Sequence, residues 1–160
     1  LLAASRVDLA RSGVGVAVRA DAPRCDIGSA DAVKDAVLGA ACIGYSTGPS
    51  GVYLQQLFKR WGIWPQIKAR ILVAPPGVPV GSLVARGDCD LGFQQLSELV
   101  SIPGISVLGP LPPDIQIITI FSGAIATNCA VPAAAREVLQ FMASPATSAV
   151  NLRHGLECAN

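Results

Sequence analysis

Short apolar runs, each closed by a glycine- or proline-bearing loop and followed by residues of helical periodicity, alternate along most of this 160-residue chain. Val14-Gly15-Val16-Ala17-Val18 is the first, closed by Asp21 and Pro23, and reads as a strand. Ser29 and Asp31 offer N-caps for a helix over 32–38 that Gly39 stops. Residues 41–45 read as a buried strand, and the loop Ser46-Thr47-Gly48-Pro49-Ser50-Gly51 leads into a helix that opens near Ser50. In that helix Val52, Leu54, Leu57, Phe58 and Trp61 recur at three- and four-residue steps, which places one apolar stripe against a sheet. The pattern then repeats in kind: strand 70–73, the loop Pro75-Pro76-Gly77, helix 80–86 stopped by Gly87, strand 90–93, and a helix over 96–100 entered through Gln94-Gln95. A short strand over 105–108 and a long one over 115–126 follow. Pro132 opens a helix through Val138, Leu139 and Met142, and Ser144-Pro145 opens a last helix that ends at Gly155.

Alternation of this kind implies βαβ units and an α/β fold. Composition agrees. Hydrophobic residues make up 51% of the chain while aromatics supply only 5%, so the core rests on Ala, Val, Leu and Ile. Charged residues reach 14%, against roughly 25% in an average soluble domain. A sheet covered on both faces by helices suits such a sequence, with parallel strands expected. The net charge is +1 and the Lys and Arg residues are scattered, which excludes a nucleic-acid partner. The uncharged stretch 115–135 has the length of a membrane span, but its Gln116, Thr119, Ser122, Asn128 and Pro132 fit a strand, turn and helix start, so no membrane insertion is expected. No basic segment precedes an apolar run at Leu1, so no signal peptide is visible. Cys25, Cys42, Cys89, Cys129 and Cys158 form no CxxC pair, and His154 stands alone, so neither a metal site nor a cofactor is expected.

In α/β sheets ligands sit beyond the carboxyl ends of strands, where helix N-termini gather. Three loops qualify: 47–51, 75–77 and 93–96. Gly44-Tyr45-Ser46-Thr47-Gly48 matches the GxSxG pattern of a nucleophile elbow, with Asp88, Asp90 or Asp114 and then His154 following in hydrolase order. Pro49 delays the helix beyond where an elbow needs it, and no HGGG-type segment is present. The same loop also reads as a helix start free of bulky side chains. There the amides of Ser50, Gly51 and Val52, with the Ser50 hydroxyl, face a cleft and attract an anion without any Lys or Arg. The residues equally fit an ordinary capped helix. Gly77 allows close backbone approach, and Gln95 offers a neutral amide that can donate to an oxyanion. Apart from Tyr45, the three loops carry no ionisable side chain, which leans toward binding and assigns no catalytic residue.

The runs IGYSTGPSGVYLQQLFKRWGI, APPGVPVGSLVARGDCDLGFQQLSEL and REVLQFMASPATSAVNLRHGLE together resemble the molybdate-binding-protein-like branch of the type 2 periplasmic solute-binding proteins. That resemblance implies an α/β lobe of the type 2 fold with two hinge-crossing strands and C-terminal helices. Residues 1–20 would be a remnant of the first lobe with the first crossing strand, 21–114 the second lobe, 115–126 the return crossing, and 127–160 helices belonging to the first lobe. It implies a periplasmic location and capture of a small oxyanion or organic carboxylate for an ABC-type permease. Ser50, Gly51, Val52, Gly77, Gln95 and Tyr45 would form the site. Gln95 stands where molybdate binders commonly carry a tyrosine, which points away from molybdate and toward a carboxylate. A related branch isomerises a tricarboxylic acid, so an isomerase on the same cleft is the alternative, and a serine hydrolase at Ser46 a more distant one. The N-terminal part of the first lobe is expected to be absent, leaving an apolar face open to self-association or to a partner fragment.

Overall fold

A computed structural model describes residues 1–159 and divides them into two compact units. The larger, Gly13–Ile117, is a five-stranded sheet in the order β3-β2-β4-β1-β5. Its strands are β1 (Val7–Arg19, of which residues from 13 belong here), β2 (Ile43–Ser46), β3 (Ile71–Ala74), β4 (Leu91–Gln95) and β5 (Ile105–Pro110). β2 runs parallel to β3 and β4, whereas β1 is antiparallel to both β4 and β5. The sheet is therefore mixed, with one reversed strand where a parallel sheet was expected.

Side-chain alternation along the strands decides what each face can receive. Val14 and Val16 on β1, Ile43 and Tyr45 on β2, and Leu91 and Phe93 on β4 are buried in one cluster with Leu54, Leu57 and Phe58 of α2 (Pro49–Arg60) and Val33 and Val37 of α1 (Ala30–Gly39). Phe58 and Phe93 meet edge to face with centroids 6.1 Å apart. Gly44 and Gly92 lie between those large residues, on the opposite face. A Cβ on Gly44 would come within 2.6 Å of the Cys89 sulfur and 3.2 Å of Val80, and one on Gly92 would overlap Val84. These bare positions let the helix α4 (Val80–Arg86) lie directly on the sheet. There Val80, Leu83, Val84, Ala74 and Cys89 make a second core cluster.

Helix ends follow their local sequence. Of the two candidate caps for α1, Ser29 is the one used, its hydroxyl accepting from the Ala32 amide at 3.1 Å. Gly87 ends α4 at φ 79°, in the left-handed region that glycine tolerates. α4 starts after Pro79, which has no capping side chain; instead the buried Gln94 carboxamide oxygen accepts the Val80 amide at 2.8 Å. A short helix α3 (Trp64–Ile67) was not legible in the sequence, and α5 (Leu96–Leu99) is a single turn.

The expected long strand over 115–126 is corrected. Pro112 and Pro113 direct the chain into a 3-10 turn at Pro113–Ile115, and the ladder resumes only as β6 (Ile118–Gly123). Between them the Gln116 side chain behaves like a peptide group. Its oxygen accepts the Val14 amide at 2.8 Å, and its nitrogen donates to the Val14 carbonyl at 3.0 Å.

The smaller unit comprises Leu1–Ser12 and the chain from Ile118 onward. In it β6 and the two-residue β7 (Glu157–Cys158) pair with the first half of β1. The Ser12 hydroxyl donates to the Gly155 carbonyl at 2.9 Å, and Arg11 meets Glu157 at 2.9 Å. Helices α6 (Pro132–Met142) and α7 (Ser148–Arg153) contain no buried residue, and Val138, Phe141 and Leu152 are 56%, 62% and 66% exposed. No helix among the described residues is long and apolar enough to cross a membrane.

Two consequences can be measured. Gln94→Leu removes the acceptor for the Val80 amide inside the core and is expected to cost about 1–3 kcal/mol in urea unfolding. Burial, with smaller contributions from Cys42, Asp90 and Asp88, pushes the Cys89 thiol from an ordinary 9.0 up to about 12. Unfolded chains release this proton near pH 9 while the folded chain keeps it. Stability is therefore full below pH 9 and is expected to fall as pH rises toward 12, in a wild-type minus Cys89→Ala comparison of unfolding midpoints.

Candidate ligand-binding site

β2 ends at Ser46 and α2 begins at Pro49, so Thr47 and Gly48 alone connect strand to helix. Gly48 is the extended N-cap and has no side chain to cap with. Pro49 takes the first helical position, where no amide is needed. The amides of Ser50 and Gly51 come next and have no acceptor within the helix. No acidic side chain occupies this first turn. Val52 differs from the expectation of a bare donor. As the fourth helical residue it closes the first i to i−4 bond, donating to the Gly48 carbonyl at 3.2 Å.

Gly51 is required by close approach, since a Cβ there would overlap the Ser46 carbonyl oxygen. Ser50 is 1% exposed, its Oγ 3.4 Å from the Ser46 Oγ, which also accepts the Gly48 amide at 3.3 Å. These hydroxyls brace the turn, and Ser50 stands behind the cavity wall rather than in it.

One cavity of about 560 Å³ opens where the three loops meet. Its wall is residues 46–49 from the first loop, 74–79 from the second, and Gln94, Gln95, Glu98, Ser101 and Ile102 from the third. Gly77 and Gln95 are thus brought to the same space as the front of α2. Gly77 has φ 80° and sits at the third position of a turn closed by the Val78 amide donating to the Pro75 carbonyl at 3.0 Å. Pro76 before a left-handed glycine is the type II arrangement, which fixes the loop without any bulky side chain. Gln95 is 7% exposed at the end of β4. Tyr45, Gly51 and Val52 border an adjoining depression of about 220 Å³ that shares Ser46 and Thr47 with the main cavity. Burial pushes the Tyr45 phenol above its ordinary value, so it stays neutral.

Thr47, Glu98 and Ser101 line the main cavity and were not singled out from the sequence. Glu98 lies about one helical turn past Gln95, a spacing that marks it as a neighbour of that loop, and Ser101 follows the end of α5. No Lys, Arg or His lines the cavity. The polar side chains on its wall are hydroxyls and carboxamides with one carboxyl, and the first two are groups that can donate to an oxyanion or carboxylate. No group of three or more His, Cys, Asp or Glu side chains able to hold a metal occurs among the described residues. Ser46 has Ser50 and Gly48 as its hydrogen-bond partners, and His154 closes α7 in the smaller unit.

Comparison with known proteins adds three findings. A family model described as bacterial extracellular solute-binding protein matches residues 1–157. An aconitate isomerase from Pseudomonas sp is 45% identical over 141 residues, which is 88% of this chain but 53% of that protein, so the chain spans about half the length of this relative. Among solved structures, the substrate-binding domain of a molybdenum ABC transporter protein from Clostridium difficile superposes with a TM-score of 0.77 at 17% identity, covering 100% of this chain and 69% of that one. The Azotobacter vinelandii periplasmic molybdate-binding protein gives 0.72 at 22% identity, with coverages of 99% and 70%. At these identities the superpositions speak to fold, the type 2 periplasmic-binding-protein lobe. The chain belongs to the bacterial extracellular solute-binding proteins, a periplasmic family.

Proposed function

We propose that this chain forms one side of a cleft that binds a small polycarboxylate of the aconitate kind and isomerises it. The observation that carries the reading is the cavity beside the start of α2, where hydroxyl and carboxamide side chains gather without a single cationic side chain. A carboxylate is held there by geometry, each oxygen taking directed hydrogen bonds, with the α2 dipole adding its attraction. About 560 Å³ is within the usual range of small-molecule sites. The 45% identity to an aconitate isomerase supports the substrate class and favours conversion over simple capture.

Non-covalent capture for delivery to an ABC-type permease is the second reading, favoured by the solute-binding proteins that share the fold. Both readings use the same donors and differ only in whether the substrate leaves changed. Under either, the apolar side chains exposed on α6 and α7 belong under cover, and we propose that in a protein of the relative's length the unmatched portion packs there. The 160-residue chain alone is then expected to self-associate, its sedimentation coefficient rising with concentration.

Incubation with cis- or trans-aconitate, followed by proton NMR, tests the main reading directly. Appearance of the other isomer together with a raised melting temperature is expected. A raised melting temperature without conversion supports capture, and molybdate or sulfate stabilising better than aconitate overturns the carboxylate assignment. Gly51→Ala pushes a methyl group into the Ser46 carbonyl and displaces the turn. It is expected to weaken aconitate binding at least about tenfold, or about 1.4 kcal/mol, in a calorimetric titration.

A further inference from the structure

Among the side chains that line the main cavity, Glu98 is the one carboxyl; its neighbours there are hydroxyls, carboxamides, glycines, prolines and aliphatic groups. A carboxylate is out of place in a pocket built only to capture anions, because it repels the charge that the amides attract. No ion pair neutralises it among the described residues. Glu98 is exposed to solvent on the cavity side, and its backbone is held in place. It sits on the one-turn helix α5 that follows Gln95 directly, and the next residue, Leu99, is fully buried and pins that turn to the core.

Resting on the isomerase reading above, we infer that Glu98 is the catalytic proton carrier of this cavity, acting on alkene polycarboxylates with a hydrogen on the carbon beside the double bond. The Glu98 carboxylate takes that proton, and the C–H electron pair enters the allylic system. The double bond moves over by one carbon as the same carboxyl group returns the proton to the far end. One C–H bond breaks and one forms, no electron leaves the substrate, and no co-reactant is consumed. The Thr47 and Ser101 hydroxyls and the Gln95 carboxamide share this cavity with Glu98 and are the groups that would hold the carboxylates on which negative charge builds during the transfer. A single carboxyl can serve both steps because it alternates between base and acid.

The 160-residue chain, wild type, Glu98→Gln and Glu98→Asp, is to be assayed for aconitate isomerisation and for exchange of substrate carbon-bound hydrogen with deuterated water, with aconitate affinity measured in parallel by calorimetry. Glu98→Gln is expected to slow isomerisation and exchange by roughly 10²-fold or more, while affinity holds or tightens, and Glu98→Asp is expected to restore part of the rate. A Glu98→Gln protein as fast as an active wild type overturns the assignment and leaves the isomerase reading intact. Affinity lost in step with rate also overturns it, since that marks a structural role. A wild type that binds aconitate but neither converts nor exchanges it overturns the isomerase reading and this assignment together.

Discussion

Close packing of α4 on two bare strand positions fixes where everything near the cavity can be. Gly44 and Gly92 stand side by side on the parallel pair β2 and β4, and Val80 approaches a virtual Cβ at either to 3.2 Å. A methyl group at either site would meet packed atoms, and interiors at this density do not absorb a methylene without shifting. On the other face, the neighbouring large residues Ile43, Tyr45, Leu91 and Phe93 seat α2. The sheet is thus asymmetric, thin toward α4 and bulky toward α2. α2 follows β2 and α4 follows β3 at the same end of these two parallel strands, and the loops leading into them become the cavity wall.

The polar residues reinforce that placement. Gln94 and Gln95 are adjacent in sequence and alternate across the sheet, so they have different work. Gln94 reaches back to cap α4, while Gln95 closes β4 at the cavity. Within the larger unit, the Tyr53 hydroxyl donates to the Ile115 carbonyl at 2.9 Å and Gln116 clasps Val14, so the segment after β5 is tied to α2 and β1 by side chains rather than by a strand ladder. Such carboxamide clasps satisfy backbone groups that a turn would otherwise leave unpaired.

Most of the architecture was legible because its signals are local. Gly39, Gly62 and Gly87 stop helices, Pro49 and Pro132 start them, and apolar runs mark β2, β3 and β4. What escaped depends on distant partners. The reversed direction of β1 is decided by its pairing with β4 and β5, and β7 exists only because Ala10 and Arg11 lie opposite it. The strand expected over 115–126 failed on side-chain chemistry, since β-branched content says nothing of Gln116 substituting for a ladder partner. For the cavity, the three loops were readable from strand-then-helix order. That Ser50 is buried while Thr47 and Ser101 line the wall was not, because exposure within a turn depends on which way the chain is braced.

An anion site without cations has a consequence for chemistry. Lys and Arg bind carboxylates strongly in reactant and intermediate alike, whereas amides fixed by a helix start and a type II turn favour the geometry in which charge is most concentrated on oxygen. Under the proposed isomerase reading, a framework of this kind would also stabilise the carbanion-like state of a polycarboxylate. It lacks only a group that moves a proton. In the proposed assignment the Glu98 carboxyl, alone among otherwise neutral walls, would supply that, at the expense of some affinity through repulsion. Solute capture and isomerisation are on this view neighbouring solutions on one fold, separated by a single titratable side chain rather than by a new constellation.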